Sequence, residues 1–162
     1  MAATYESIAT ASLSLTTGVT FSSIPNTYTD LRVVLNFQTT DQELIFMRLN
    51  NDSNSYYSAM YIVGNDNSIT GGTNNNRTEF TSTYAISSGS NGFITYDIMN
   101  YTNTNKFKTV LYQNSLTNAS QNYTIKYVGQ YKDPARITSV RVFCPNNTFS
   151  DGNITLYGIK AA

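Results

Sequence analysis

The sequence predicts an all-β protein folded as a single β-sandwich with a jelly-roll-like arrangement of strands. Three observations predict it. Apolar residues recur with period two rather than 3.6. Clusters of Asn, Asp, Gly, Pro and Ser break these runs at short intervals. No stretch combines a helical period with helix caps. A chain of 162 residues suits one domain with a sizeable core. No linker-like shift in composition and no internal repeat divides it, so the expected domain spans 1–162.

The strands can be taken in order. Leu31, Val33, Leu35 and Phe37 alternate with Arg32, Val34 and Asn36. Ile94, Tyr96 and Ile98 alternate with Phe93, Thr95 and Asp97. Tyr123, Ile125, Tyr127 and Gly129 alternate with Thr124, Lys126 and Val128. Val140, Val142 and Cys144 alternate with Ser139, Arg141 and Phe143, and Ile154 and Leu156 with Thr155 and Tyr157. Residues 4–10, 18–23, 43–49, 56–63, 78–86 and 106–114 are further strand candidates, rich in β-branched and aromatic side chains that suit a half-buried pleat. Alternation assigns Leu31, Val33, Leu35, Ile94, Tyr96, Ile98, Val140, Val142 and Leu156 to the core. Turns are expected at Pro25-Asn26, Asn50 to Asn54, Asn91-Gly92, Asp133-Pro134 and Asp151-Gly152. The polar run 64–76 reads as an exposed loop.

Ten basic and ten acidic residues give zero formal net charge, and only 12% of residues are charged. About 60 Asn, Ser and Thr residues supply the polar surface instead. A neutral chain without a basic stripe lacks the counterion release that drives nucleic-acid binding. Lys106 and Lys108 read as solvated side chains on one strand face. The single cysteine, Cys144, sits in an apolar run and is expected to be a small buried hydrophobe. The opening residues show neither the basic nor the apolar region of a secretory signal. No apolar run approaches membrane-spanning length, so a soluble protein made in a cytoplasm is expected. On that expectation the seven Asn-X-Ser/Thr sequons carry no glycans.

Catalytic groups are sparse. There is no histidine, which removes the usual nucleophilic triads and the commonest transition-metal ligand. No phosphate-binding or dinucleotide fingerprint is present. Carboxylate pairs remain, and Asp41 and Glu43 are spaced to share a strand face. They stand at a loop-to-strand junction, where solvation leaves such acids ordinary. The Asn50 to Asn54 segment lacks the acidic spacing of a calcium loop. No enzyme activity, no metal and no cofactor is expected.

Tyrosine is abundant, with 13 residues. Tyr56, Tyr57 and Tyr61 fall in one candidate strand, and Tyr123, Tyr127 and Tyr131 share a face of another. Tyr offers large contact area at low entropy cost, so these six are candidate contacts for a protein partner or a glycan. The alternative is structural. Tyr is a good sheet former, and its hydroxyl reaches the rim of a core.

Four stretches resemble a family of small tailed-phage virion proteins common in phages of cyanobacteria. They are Thr4 to Thr10, Thr20 to Leu31 (TFSSIPNTYTDL), Arg48 to Ser58 (RLNNDSNSYYS) and Leu156 to Lys160 (LYGIK). The stretches run in family order along the whole chain, while 64–120 is not distinctive. Asn51 departs from the Gly usual in the family, and Asn is the residue that best replaces it in a left-handed turn. The resemblance carries no catalytic residues. It implies a structural accessory protein on the virion surface: a capsid decoration, head fibre or tail appendage component. Its partners would be other virion proteins and further copies of itself, by analogy as a homotrimer. The alternative reading, which an exposed Tyr row would favour, is a carbohydrate-binding receptor-recognition module of a phage fibre.

Overall fold

The computed structural model describes residues 4–118 and 121–160. The ends of the expected 1–162 domain, residues 1–3 and 161–162, and residues 119–120 lie outside the described residues. Among those described, twelve strands form two antiparallel sheets, with no helix. The large sheet runs, side by side, β1 (Thr4–Ser12), β12 (Phe149–Lys160), β3 (Asp30–Thr39), β8 (Gly92–Ile98), β9 (Lys108–Thr117), β10 (Asn122–Tyr131), β5 (Tyr57–Asn65) and β6 (Ile69–Arg77). The small sheet runs β2 (Gly18–Phe21), β11 (Val140–Phe143), β4 (Phe46–Leu49) and β7 (Phe80–Thr81). The sheets pack together as a β-sandwich. The jelly-roll topology expected from the sequence is a finer statement than this eight-and-four order supports.

Alternation decides which side chains enter the core. Every residue assigned to it from the sequence, from Leu31 through Leu156, is fully buried. In β9 and β10 burial switches at each position, as a pleat with one covered face requires.

Three expectations are corrected. The run 64–76 is not a loop: only its tip turns, and Ile69–Arg77 forms strand β6. Asn65 Oδ1 accepts from the N–H groups of Asn67 (3.0 Å) and Ser68 (2.8 Å), reversing the chain so that β6 pairs with β5. The ladder supplies what Gly and Asn propensity lacks. Conversely, 78–86 holds only the two-residue β7 and an isolated bridge from Glu43 to Ile86. Ser82 is the cause: its Oγ takes the Ile45 N–H (3.0 Å), and the chain leaves the sheet. Finally, Lys106 is exposed but Lys108 is not. The Lys108 ammonium donates to the carbonyls of Asn103, Lys106 (3.0 Å) and Pro134 (2.9 Å), so all three donors are used inside the fold.

Three of the four stretches that carry the family resemblance meet in space. β1 pairs with β12, placing Glu6 opposite Gly158. The Tyr28 ring lies on Gly158, where an added Cβ would sit 2.3 Å away. Tyr28 donates its hydroxyl to Glu6 (3.1 Å), and Lys160 donates to the other oxygen of the same carboxylate (2.8 Å). The remaining stretch, Arg48 to Ser58, builds a turn with positive φ at Asn50 and Asn51, as in type I′, closed by Asp52 N–H on the Leu49 carbonyl (3.0 Å). Asn50 also caps the approach to β11, accepting from Thr138 N–H (2.8 Å) and donating to the Arg136 carbonyl (2.9 Å).

Replacing Leu35 with Ala is expected to cost about 2–5 kcal/mol, because it empties a fully covered site. Urea denaturation measures this, and a loss below about 0.5 kcal/mol would place Leu35 at the surface.

Candidate interaction surface

Most of the six candidate tyrosines point the wrong way for contact. Tyr57, Tyr123, Tyr127 and Tyr131 are buried, so they correct the expectation of an exposed aromatic surface. Tyr61 is half-buried beside them, and only Tyr56, just ahead of β5, is exposed. Their inward position follows from the pleat, which sets them in phase with Ile125, Val63 and Ala59. The hydroxyls are used internally. Tyr57 accepts from the Leu49 N–H (3.1 Å), Tyr131 donates to Asp52 (2.8 Å), Tyr123 to Gln121 (2.7 Å), and Tyr127 accepts from the Thr83 N–H (2.7 Å).

The structure groups them differently from the sequence. Tyr96, Tyr112, Tyr127 and Tyr61 are direct cross-strand partners on β8, β9, β10 and β5. Their ring centroids are 5.3, 4.0 and 5.7 Å apart along the row. Gly72 ends the row on β6, where a Cβ would fall 2.5 Å from the Tyr61 hydroxyl. Offset ring pairs of this kind contribute beyond their buried area.

The opposite, outward face of the large sheet is the candidate surface. Met60, Val128 and Leu111 are adjacent in register across β5, β10 and β9, and all are exposed. The same row continues to Asp97 on β8 and Arg32 on β3. There the Arg32 fork binds the carboxylate through two bonds, of 2.5 and 2.8 Å, and the guanidinium lies 5.3 Å from the centre of the Tyr5 ring. The Asp97 bond holds the Arg32 proton even more firmly than usual. Lys126, Gln113 and Thr95 border this row, and with Val128, Leu111, Asp97 and Arg32 they line a shallow trough of about 320 Å³. The signal was present in the sequence. Met60, Leu111 and Val128 are apolar residues in the polar phase of their strands, each beside a buried apolar neighbour.

A second depression, of about 580 Å³, lies on the same sheet. Half-exposed Phe93 sits in it, with Asn36, Gln38, Asn91, Asn153 and Asp151 around it. Gln38 donates to Asn91 (2.9 Å), and Asn36 accepts from the Asn153 N–H (3.2 Å). Asp151 is the charged residue of its lining.

The residues weighed for catalysis are engaged in structure. Asp41 caps the Gln42 N–H (2.7 Å). Glu43 is buried, unlike the solvated acid expected, and its carboxylate accepts from the N–H groups of Leu44 (2.9 Å), Asn146 (3.0 Å) and Asn147 (2.7 Å). Burial pushes the Cys144 thiol up to about 12, far from a reactive thiolate. Among the described residues no three His, Cys, Asp or Glu side chains gather where they would hold a metal, and no helix is long and apolar enough to cross a membrane.

The fold and this surface define an all-β sandwich with one broad, largely neutral outer sheet face. No family model and no curated protein matches the chain. Among solved structures it is similar to an alginate lyase, Aly36B, at 8% identity over 94% of this chain and 80% of that one, with a TM-score of 0.34. A likeness of that size carries no argument about activity.

The buried tyrosines make the fold sensitive to alkali. Burial raises the Tyr57, Tyr96, Tyr112 and Tyr131 hydroxyls well above the ordinary range, and Tyr127 up to about 12. In the unfolded chain they ionise near about 10. The folded state therefore holds more protons above that pH, so the stabilisation is complete below about pH 10 and falls as pH rises. Lys108, lowered by burial, works in the opposite sense and is outnumbered. Urea midpoints should drop steeply above about pH 10, and absorbance at the tyrosinate band should show a late-titrating group of tyrosines. Equal midpoints through that range would mean the rings are hydrated.

Proposed function

We propose that the chain is a structural accessory protein of a tailed-phage virion, decorating the capsid or forming part of a head or tail appendage by protein–protein contact. The observation that carries the reading is the resemblance of four stretches to small virion proteins. Their placement supports it: three converge on the Glu6, Tyr28 and Lys160 contact, and the fourth on the Asn50 turn. They hold the frame of the sandwich together, as expected of motifs shared for architecture. The contact surface is then the outer sheet face, where Met60, Val128 and Leu111 offer apolar area beside the Arg32 and Asp97 pair. Such a surface suits a protein partner, with an apolar centre and a polar rim.

A second reading, glycan recognition by a phage fibre, is favoured by one observation. The depression around Phe93 combines an aromatic ring with several amides and Asp151, the mixture that hydroxyl-rich sugars need.

Antibody labelling of purified particles tests the first reading. Regular labelling of the head or tail is the expected result, and absence of the protein from intact particles would defeat it. A glycan array tests the second. Binding lost on Phe93→Ala, with unchanged melting temperature and with the protein present on the particles, would replace the first reading with the second.

A further inference from the structure

We infer that two copies of this chain join edge to edge through β6, in antiparallel register about a two-fold axis at Gly71. This inference is independent of the virion reading. It starts from the edges of the sheets, where unpaired backbone groups invite another strand. Three of the four edges are blunted. β1 carries a bulge between Ser7 and Ala9 and the Glu6–Lys160 ion pair, while β2 and β7 are only four and two residues long. β6 has nine residues, contains no proline, and carries no charge before Arg77.

The register of the hairpin identifies which groups are free. The Asn65 N–H donates to the Ser68 carbonyl (3.0 Å), so that pair is hydrogen-bonded. Bonding alternates along an antiparallel ladder. Thr70, Gly72 and Asn74 therefore direct their backbone to β5, while Ile69, Gly71 and Thr73 direct theirs to the open edge. This regular stretch runs from the turn at Asn65 to the shift between Tyr57 and Ala59, near which Asn76 takes a positive φ.

Such an edge is complementary to itself. With Gly71 opposite Gly71 of a second copy, Ile69 faces Thr73, and the three residues of each copy exchange all their free N–H and C=O groups. Gly71 presents no side chain at the axis. Ile69, 76% exposed, then extends the other copy's row of Leu111, Val128, Met60 and Thr73, on the same sheet face. Charge agrees as well. The exposed Asp66 at one hairpin tip comes toward the exposed Arg77 beyond the bulge of the other copy. No like charges meet at the axis. These features select a second copy as the occupant.

The test uses the full chain. Sedimentation equilibrium at about 100 µM should give a two-chain mass. Gly71→Pro removes an N–H that faces outward and spares the N–H groups bonded to β5, with its Cβ 3.2 Å from the Tyr61 carbonyl oxygen. It should yield monomer with an unchanged far-ultraviolet circular dichroism spectrum. Gly71→Cys should form a disulfide-linked pair under mild oxidation, since residues opposed across such an axis lie about 5.5 Å apart. Leu15→Cys, also exposed but between β1 and β2, away from β6, should not. Cys144 is buried and does not contribute. A monomer at every concentration overturns the inference. So does a three-chain mass, the threefold assembly expected from the family resemblance, that survives Gly71→Pro. If Gly71→Pro unfolds the chain, the cysteine pair decides: equal crosslinking at 71 and 15 overturns it.

Discussion

Eight strands side by side span about 34 Å and four span about 14 Å. The molecule must bury the inner face of the wider sheet with the narrower one, and the rest of the structure depends on how it manages the difference. Beyond β7 the cover is a single irregular segment. Phe80 at its start packs into the space left by Gly129, where a Cβ would lie 2.6 Å from its ring. Thr83 binds the Tyr127 hydroxyl, and Tyr84 stacks on Tyr123 with centroids 4.3 Å apart. Tyr127 suits this place because its ring fills a thin layer and its hydroxyl accepts from the Thr83 N–H of the irregular cover. The row from Tyr96 to Tyr61 is the side-chain layer that lets one loop stand in for missing strands.

A chain with few charges places several of them inside as fasteners. Lys108 gathers three carbonyls from the 103–106 turn and Pro134. Glu43 gathers the amides that open the connection from β11 to β12. Each closes loops whose backbone has no ladder to join, and each charge is matched by several dipoles rather than by one counter-ion. This use of acids and lysines leaves the chemistry of the chain in its frame. It also leaves the outer sheet face mostly to neutral side chains, with the Arg32–Asp97 pair, Lys126 and one apolar row.

The sequence by itself determined the class of fold and the inward residues. Side-chain direction in a strand repeats every two residues, so Leu31, Val33, Leu35 and their counterparts could be assigned with no knowledge of their neighbours. Cys144 and the Asn50 turn were legible for similarly local reasons. The exposed apolar row was written in Met60, Leu111 and Val128, but as breaks in three separate patterns. Only the pairing of β5, β10 and β9 makes them adjacent. What the tertiary structure decided is everything that depends on which strand lies beside which. A Gly- and Asn-rich run became β6 because β5 was there to pair with it. A lysine two residues from an exposed one became buried because three carbonyls converged on it. Six tyrosines proposed for contact mostly turned inward because a narrow sheet left a layer to fill. Pairing between strands far apart in the chain leaves no local period, and so these choices appear only when the sheets are assembled.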